Sequence, residues 1–174
     1  VSALEGAIEG IRDDPDGGMF TFRAETVWED ALRSVTTIDG FDHAGEPVRT
    51  REFTLHGDEP EEILGERSGP NAVELLLGAL GSCLSVGYAA NAAAMGIELD
   101  GLRIEMDGDV DLRGFLGIDE DVRPGYGAIT CTVYVDADAG EDELEALREH
   151  VERTSPLVDC ITNEVPLETE LVVE

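Results

Sequence analysis

The 174-residue chain carries 40 Asp plus Glu against 11 Lys plus Arg, a formal net charge of −29, with 42% hydrophobic residues. Such hydrophobic content excludes a disordered chain, and the charge excludes nucleic acid and anionic membranes as partners, since both repel a polyanion. Every cation is an arginine and lysine is absent, a pattern expected of a halophile's acidic protein in molar salt, where the Debye length falls to about 3 Å and self-repulsion is screened. The length suits one domain, expected over residues 19–174, with residues 1–18 as a helical extension. VSALEGAIEGIRDDP at the start has neither the basic residues nor the long apolar stretch of a secretory signal, so a cytoplasmic protein is expected.

Leu4, Ala7, Ile8 and Ile11 recur at helical spacing and predict a helix over 2–12, closed by Pro15, Gly17 and Gly18. The stretches 19–28, 31–38 and 48–55 alternate and are rich in Thr, Val and Phe, which predicts an antiparallel opening. GPNAVELLLGALGSCLSVGYAANAAAMG then predicts one long helix, capped by Asn71 and ending near Gly96. Its apolar residues go all the way round, so it is expected to be a core helix wrapped by strands. Glu74, Asn91, the many small residues and the lack of flanking basic residues argue against a membrane span. Glycines 78, 81 and 87 leave room for another backbone to approach closely. Residues 97–112 and 128–138 read as a second antiparallel pair, GEDELEALREHVERTSP as a helix with Asp138 and Glu141 as its capping box, and VPLETELVV as a final strand. The fold class is α+β.

Cys83, Cys131 and Cys160 lie far apart, as do His43, His56 and His150, so no metal site and no cofactor is expected. Cys131 alternates with Ile129 and Val133 and is expected to face the core. Cys83 sits in the long helix, either as a small buried hydrophobe or as a nucleophile.

Three segments in this order, GPNAVELLLGALGSC, DLRGFLGIDEDVRPGY and TSPLVDCITNEVPLETEL, resemble the OsmC-like family, relatives of osmotically inducible protein C and the organic hydroperoxide reductases. The similarity runs over residues 24 to 174. It implies an intertwined homodimer with two antiparallel sheets around central helices, and thiol peroxidase chemistry on a small organic hydroperoxide. Cys83 matches the family's nucleophile. The resolving cysteine of the family, which precedes a proline, falls on Ser155, so an external thiol becomes the resolver. Cys160, four residues past Pro156, is either a substitute resolver or a buried turn cysteine. The family's glutamate falls on Val73, one residue from Glu74, which is expected to face elsewhere, toward an arginine. Arg33 is the first candidate for the thiolate-stabilising cation, with Arg51 and Arg67 behind it. The alternative is a non-catalytic dimeric binding protein for an apolar small molecule, with Cys83 only lining the cavity.

Overall fold

A computed structural model describes residues 2–49 and 52–173. The chain forms two compact units, Val1–Leu75 and Leu76–Glu174.

The first unit opens with α1 (Ser2–Asp13), as the helical spacing predicts. Six short strands follow: β1 (Phe20–Phe22), β2 (Glu25–Asp30), β3 (Arg33–Ile38), β4 (Phe41–His43), β5 (Glu46–Val48) and β6 (Phe53–Gly57). They pair antiparallel as two three-stranded sheets, in the orders β1-β4-β5 and β2-β3-β6. The first expected strand is therefore two, the third is β6, and β4 and β5 were unforeseen because three residues are too short to show alternation. Ala44 and Gly45 both take positive φ, the two-residue turn that matches the twist of flanking strands. Phe20, Phe22 and Phe41 cluster with ring centroids 5.7–5.9 Å apart. Asp58, only 3% exposed, organises the next loop. Its carboxylate accepts from the N–H groups of Glu59, Glu66 and Ser68 and from the Ser68 hydroxyl, at 2.8–3.1 Å.

Next comes α2 (Ala72–Met95), which starts in the first unit and supplies the spine of the second. It stops where Gly96 takes φ +76° and the Ile97 N–H reaches back to the Ala92 carbonyl at 2.8 Å, the left-handed ending that glycine accommodates. Beyond it lie β7 (Leu99–Gly108), α3 (Leu112–Phe115), β8 (Ile129–Ala137), α4 (Glu141–Thr154) and α5 (Pro156–Thr162). β7 and β8 pair antiparallel from Leu99 opposite Ala137 to Gly108 opposite Ile129. The RGFLG segment bends tightly enough that a Cβ on Gly114 would lie 2.5 Å from the Arg123 carbonyl oxygen, so only glycine fits. At the start of α4 the Glu143 carboxylate accepts the Gly140 N–H at 3.0 Å, so the cap sits two residues beyond the expected Asp138 and Glu141.

Leu80, Leu84, Tyr88 and Ala92 form one buried stripe along α2, joined in a core by Ile97, Leu147 and Val151. Alternate residues Leu102, Ile104 and Met106 of β7 pack on that core. Within the chain α2 is thus covered on one stripe only, and Val86 (67% exposed) and Met95 (46%) stand open. By length and composition α2 is apolar enough to cross a membrane, with a mean hydropathy of 1.5, a property it shares with core helices of globular proteins.

The final strand is absent. Residues 164–173 form no strand, and Leu167 and Leu171 are 86% and 90% exposed. Alternation fixes which face a strand would bury, but the strand forms only where a sheet edge accepts its amides. Between Pro156 and the expected strand the chain makes the short helix α5, too short for its periodicity to mark it in the sequence.

Candidate functional site

The candidate site is built where α2 meets the junction of α4 and α5. At the N-terminus of α2, the Asn71 side chain accepts the Glu74 N–H at 2.9 Å while the Glu74 carboxylate accepts the Asn71 N–H at 2.8 Å. This reciprocal capping box satisfies two of the helix's unpaired donors and occupies Glu74 as a cap, and Glu74 pairs with no arginine among the described residues. Cys83 lies in the fourth turn of this anchored helix, half-buried, with Sγ 3.3 Å from the Ser155 hydroxyl.

Ser155 is 6% exposed and serves as the N-cap of α5, accepting the Val158 N–H at 3.3 Å, with Pro156 at the first helical position. Serine followed by proline is what a helix start favours, since serine supplies the cap and proline lacks the N–H that would go unpaired. Because the Val158 N–H already uses one lone pair of the hydroxyl, its proton is free to point at the sulfur. Across α2, Gly87 makes room for α4: a Cβ there would lie 3.0 Å from Val151 Cγ1.

Cys83 and Ser155 line a cleft of about 520 Å³. Val86, Val151 and Pro156 give it apolar walls, and Ser82, Asn91 and Thr154 add neutral polar groups. The described residues that line it carry no charge. Asn91 donates to the Gly87 carbonyl at 2.8 Å and Thr154 to the His150 carbonyl at 2.8 Å, so both are held by their own helices.

Of the other candidates, Cys160 is exposed on α5, a free thiol rather than a buried turn cysteine. Cys131 shares a strand face with Ile129 and Val133, as its alternation predicts, yet it stays exposed because that face fronts a second cavity. Desolvation, with help from the Glu152 charge, pushes its thiol pKa up. Arg33 in β3 is engaged by two carboxylates: it donates to Asp30 at 2.7 and 2.8 Å and to Glu66 at 2.6 Å. Arg67 donates to Glu62 at 2.5 Å, and Arg51 lies outside the described residues. Among the described residues no three His, Cys, Asp or Glu side chains gather as a metal site.

Two features escaped the sequence reading. Tyr88, a polar group within the apolar run of the helix, lines the second cavity. Arg148 bridges Glu145 and Glu152 at 2.6–2.9 Å. The i, i+3 and i, i+4 spacing of these three residues was a readable signal.

A family model described as OsmC-like protein matches residues 65–170. The chain belongs to the OsmC-like family. A search of curated proteins returned no match. Among solved structures, this OsmC-like chain is similar to an OsmC-like protein from Mycoplasma pneumoniae, with TM-score 0.64 and 15% identity over 82% of this chain and 87% of that one. It is also similar to an organic hydroperoxide resistance protein OsmC from Legionella pneumophila, with TM-score 0.57 and 14% identity over 81% and 88%. A third similar structure is a putative osmotic stress induced and detoxification response protein from Psychrobacter arcticus, with TM-score 0.59 and 12% identity over 79% and 85%. At such identities the OsmC-like fold is what these structures share with this chain.

Proposed function

We propose that this OsmC-like protein reduces organic hydroperoxides through Cys83, with an external thiol as resolver. The observation that carries this reading is the 3.3 Å approach of Cys83 Sγ to the Ser155 hydroxyl at the wall of an open cleft. These are the two positions where the resemblance puts nucleophile and resolver. The Cys83 thiolate attacks the outer oxygen of the hydroperoxide. The O–O bond breaks, the sulfur is oxidised to sulfenic acid, and the alkoxide leaves as the alcohol after taking a proton. Ser155 can donate to the sulfur but cannot form a disulfide with it. One external thiol therefore condenses with the sulfenic acid, releasing water, and a second displaces Cys83 as a free thiol. Apolar walls favour hydroperoxides with hydrocarbon substituents. For Arg33 to act as the stabilising cation it must leave Asp30 and Glu66, so Arg33→Ala distinguishes a guanidinium that acts on the thiol from one that only ties β3.

Brief treatment with cumene hydroperoxide followed by peptide mass analysis tests the reading. Cys83 should oxidise first with Cys131 still reduced, and Cys83→Ser should abolish dithiol-dependent turnover. Equal, slow modification of all three cysteines, with Cys83→Ser turning over like wild type, would overturn it.

The uncharged lining of the cleft also favours a second reading, a binding protein for an apolar small molecule with Cys83 as lining. That reading requires a ligand retained equally by wild type and Cys83→Ser.

Both readings are proposed for a cytoplasmic homodimer. The open faces of α2 and the unpaired apolar residues of the C-terminal segment support a second copy as their cover. Light scattering in molar salt should return twice the chain's 18.7 kDa, and the chain mass alone would refute the shared core.

A further inference from the structure

Cys131 opens onto a cavity that hydroperoxide chemistry at Cys83 leaves unused. Its volume is about 370 Å³, and Cys83 is not among its lining residues. That volume falls within the range of small-molecule sites, about 300–1,000 Å³. Leu80, Leu84 and Tyr88 of α2 form the floor, and Ile129 and Val133 of β8 with Val158 of α5 form the walls.

Tyr88 is the decisive group. It is 2% exposed, and its hydroxyl has no hydrogen-bond partner among the described residues. Yet no fully enclosed side-chain oxygen or nitrogen among those residues lacks a partner. The phenolic oxygen therefore reaches open space, which Tyr88 borders in this cavity and in an adjoining pocket of about 430 Å³ that shares Val133 and Arg148 with it. A buried phenol that meets only hydrocarbon loses the hydrogen bond it makes in water, so the cavity favours an occupant that restores it. Burial first, then the Glu152 charge, push the phenol pKa up to about 12, so it remains a neutral donor at ordinary pH.

Charge at the rim narrows the occupant further. Arg148 borders the cavity, but it is committed to Glu145 and Glu152 by charge-assisted hydrogen bonds. No lysine exists in the chain, and a net charge of −29 opposes an anionic ligand. The Thr162 hydroxyl donates to the Val158 carbonyl at 2.8 Å, which leaves a mostly hydrocarbon surface with Glu152 at its rim and the Tyr88 phenol and the weaker Cys131 thiol as its uncommitted donors.

We propose that this cavity binds a neutral, mostly hydrocarbon molecule bearing one carbonyl oxygen, which accepts the Tyr88 hydroxyl. The site stands apart from the Cys83 cleft, and its test does not depend on turnover. The probe is prodan, a neutral naphthyl ketone whose emission shifts to the blue on leaving water. Wild type should bind it saturably and should then protect Cys131, but not Cys160, from N-ethylmaleimide. Tyr88→Phe keeps the ring and removes the donor, so binding should weaken about fivefold, the worth of one neutral hydrogen bond. Cys131→Phe fills the cavity from an exposed strand position and should abolish binding. Turnover of hydroperoxide, if present, should be the same in Tyr88→Phe as in wild type. The proposal is overturned by an absence of saturable binding, by binding that leaves Cys131 unprotected in wild type, or by equal affinity of Tyr88→Phe and wild type. The protection readout uses the unmodified chain, so a misfolded Cys131→Phe would not rescue or sink it.

Discussion

Replacing Ser155 by cysteine should convert a hydrogen-bonded pair into a disulfide, and the structure sets how much that is worth. The Cys83 sulfur and the Ser155 oxygen are 3.3 Å apart, against about 2.05 Å for a sulfur–sulfur bond. The gap of about 1.2 Å is within reach of the longer Cβ–S bond and a small rotation of each side chain. The two residues are separated by 72 positions. Closing a loop of that length in the unfolded chain stabilises the fold by about 4 kcal/mol on the chain-entropy relation. Against this stands the loss of the α5 cap, since a thiol is a poor acceptor for the Val158 N–H, at about 1 kcal/mol. The net gain of about 3 kcal/mol corresponds to a rise in Tm of roughly 6–12 °C for a chain of this size.

Thiol titration in denaturant reads the chemistry directly. Reduced Ser155→Cys should show four thiols, its introduced one and the three native cysteines. After mild oxidation only Cys131 and Cys160 should remain, with Cys83 and position 155 joined in one cross-linked peptide. The oxidised form should melt above the reduced form, and turnover with a dithiol should rise as an internal resolver becomes available. Four titratable thiols after oxidation, a bond from Cys83 to Cys160, or an oxidised form that melts lower would refute the geometry on which the site rests.

Three further outcomes follow from other parts of the molecule. The Asp58 carboxyl is held down at about 2 by the Ser68 N–H and its other donors, below the ordinary 3.8, so the stability it contributes is complete above about pH 4 and is lost as pH falls toward 2; Tm from pH 5 to 2 should fall steeply in wild type and less in Asp58→Asn, and parallel curves would contradict this. With 40 carboxylates against 11 arginines, Tm should rise between low and molar KCl as repulsion is screened, and a flat curve would remove the high-salt reading. Leu147 has no exposed surface and sits at the centre of the second unit's core, so Leu147→Ala should cost about 2–5 kcal/mol in urea unfolding, with a loss under 1 kcal/mol arguing against that packing.

How much was legible in the sequence depended on whether the signal was local. The bounds of α2 were readable to one residue because its ends are punctuated by Pro70, the Asn71 cap and Gly96. The β7–β8 pair was readable because alternation over nine or ten residues leaves little ambiguity of face. The final strand misled for the converse reason: alternation is local, but the partner edge is not. Ser155 was readable as the residue at the resolver position, whereas its cap on α5 depends on a helix too short to show periodicity. Tyr88 was unreadable as a polar group. In an apolar helix it counts as hydrophobic, and only the cavity reveals that its hydroxyl has somewhere to point.

The arrangement of α2, α4 and α5 also bears on which cysteine meets an oxidant. α4 turns Val151 toward the Cys83 cleft, and it turns Arg148 and Glu152 toward the cavity of Cys131. α5 divides likewise, with Pro156 on one side and Val158 and Ile161 on the other. One helical wall thus separates an uncharged cleft, where a sulfur has a hydroxyl partner, from a cavity where desolvation and then the Glu152 charge push the second thiol up. Only a thiolate attacks a peroxide, and raising a thiol's pKa lowers its thiolate fraction at a given pH. Desolvation and the Glu152 charge therefore lower the thiolate fraction of Cys131 despite its exposure. The proposed order of oxidation, Cys83 before Cys131, therefore needs no steric shield over Cys131, and peptide mass analysis after brief hydroperoxide treatment is the measurement that checks it.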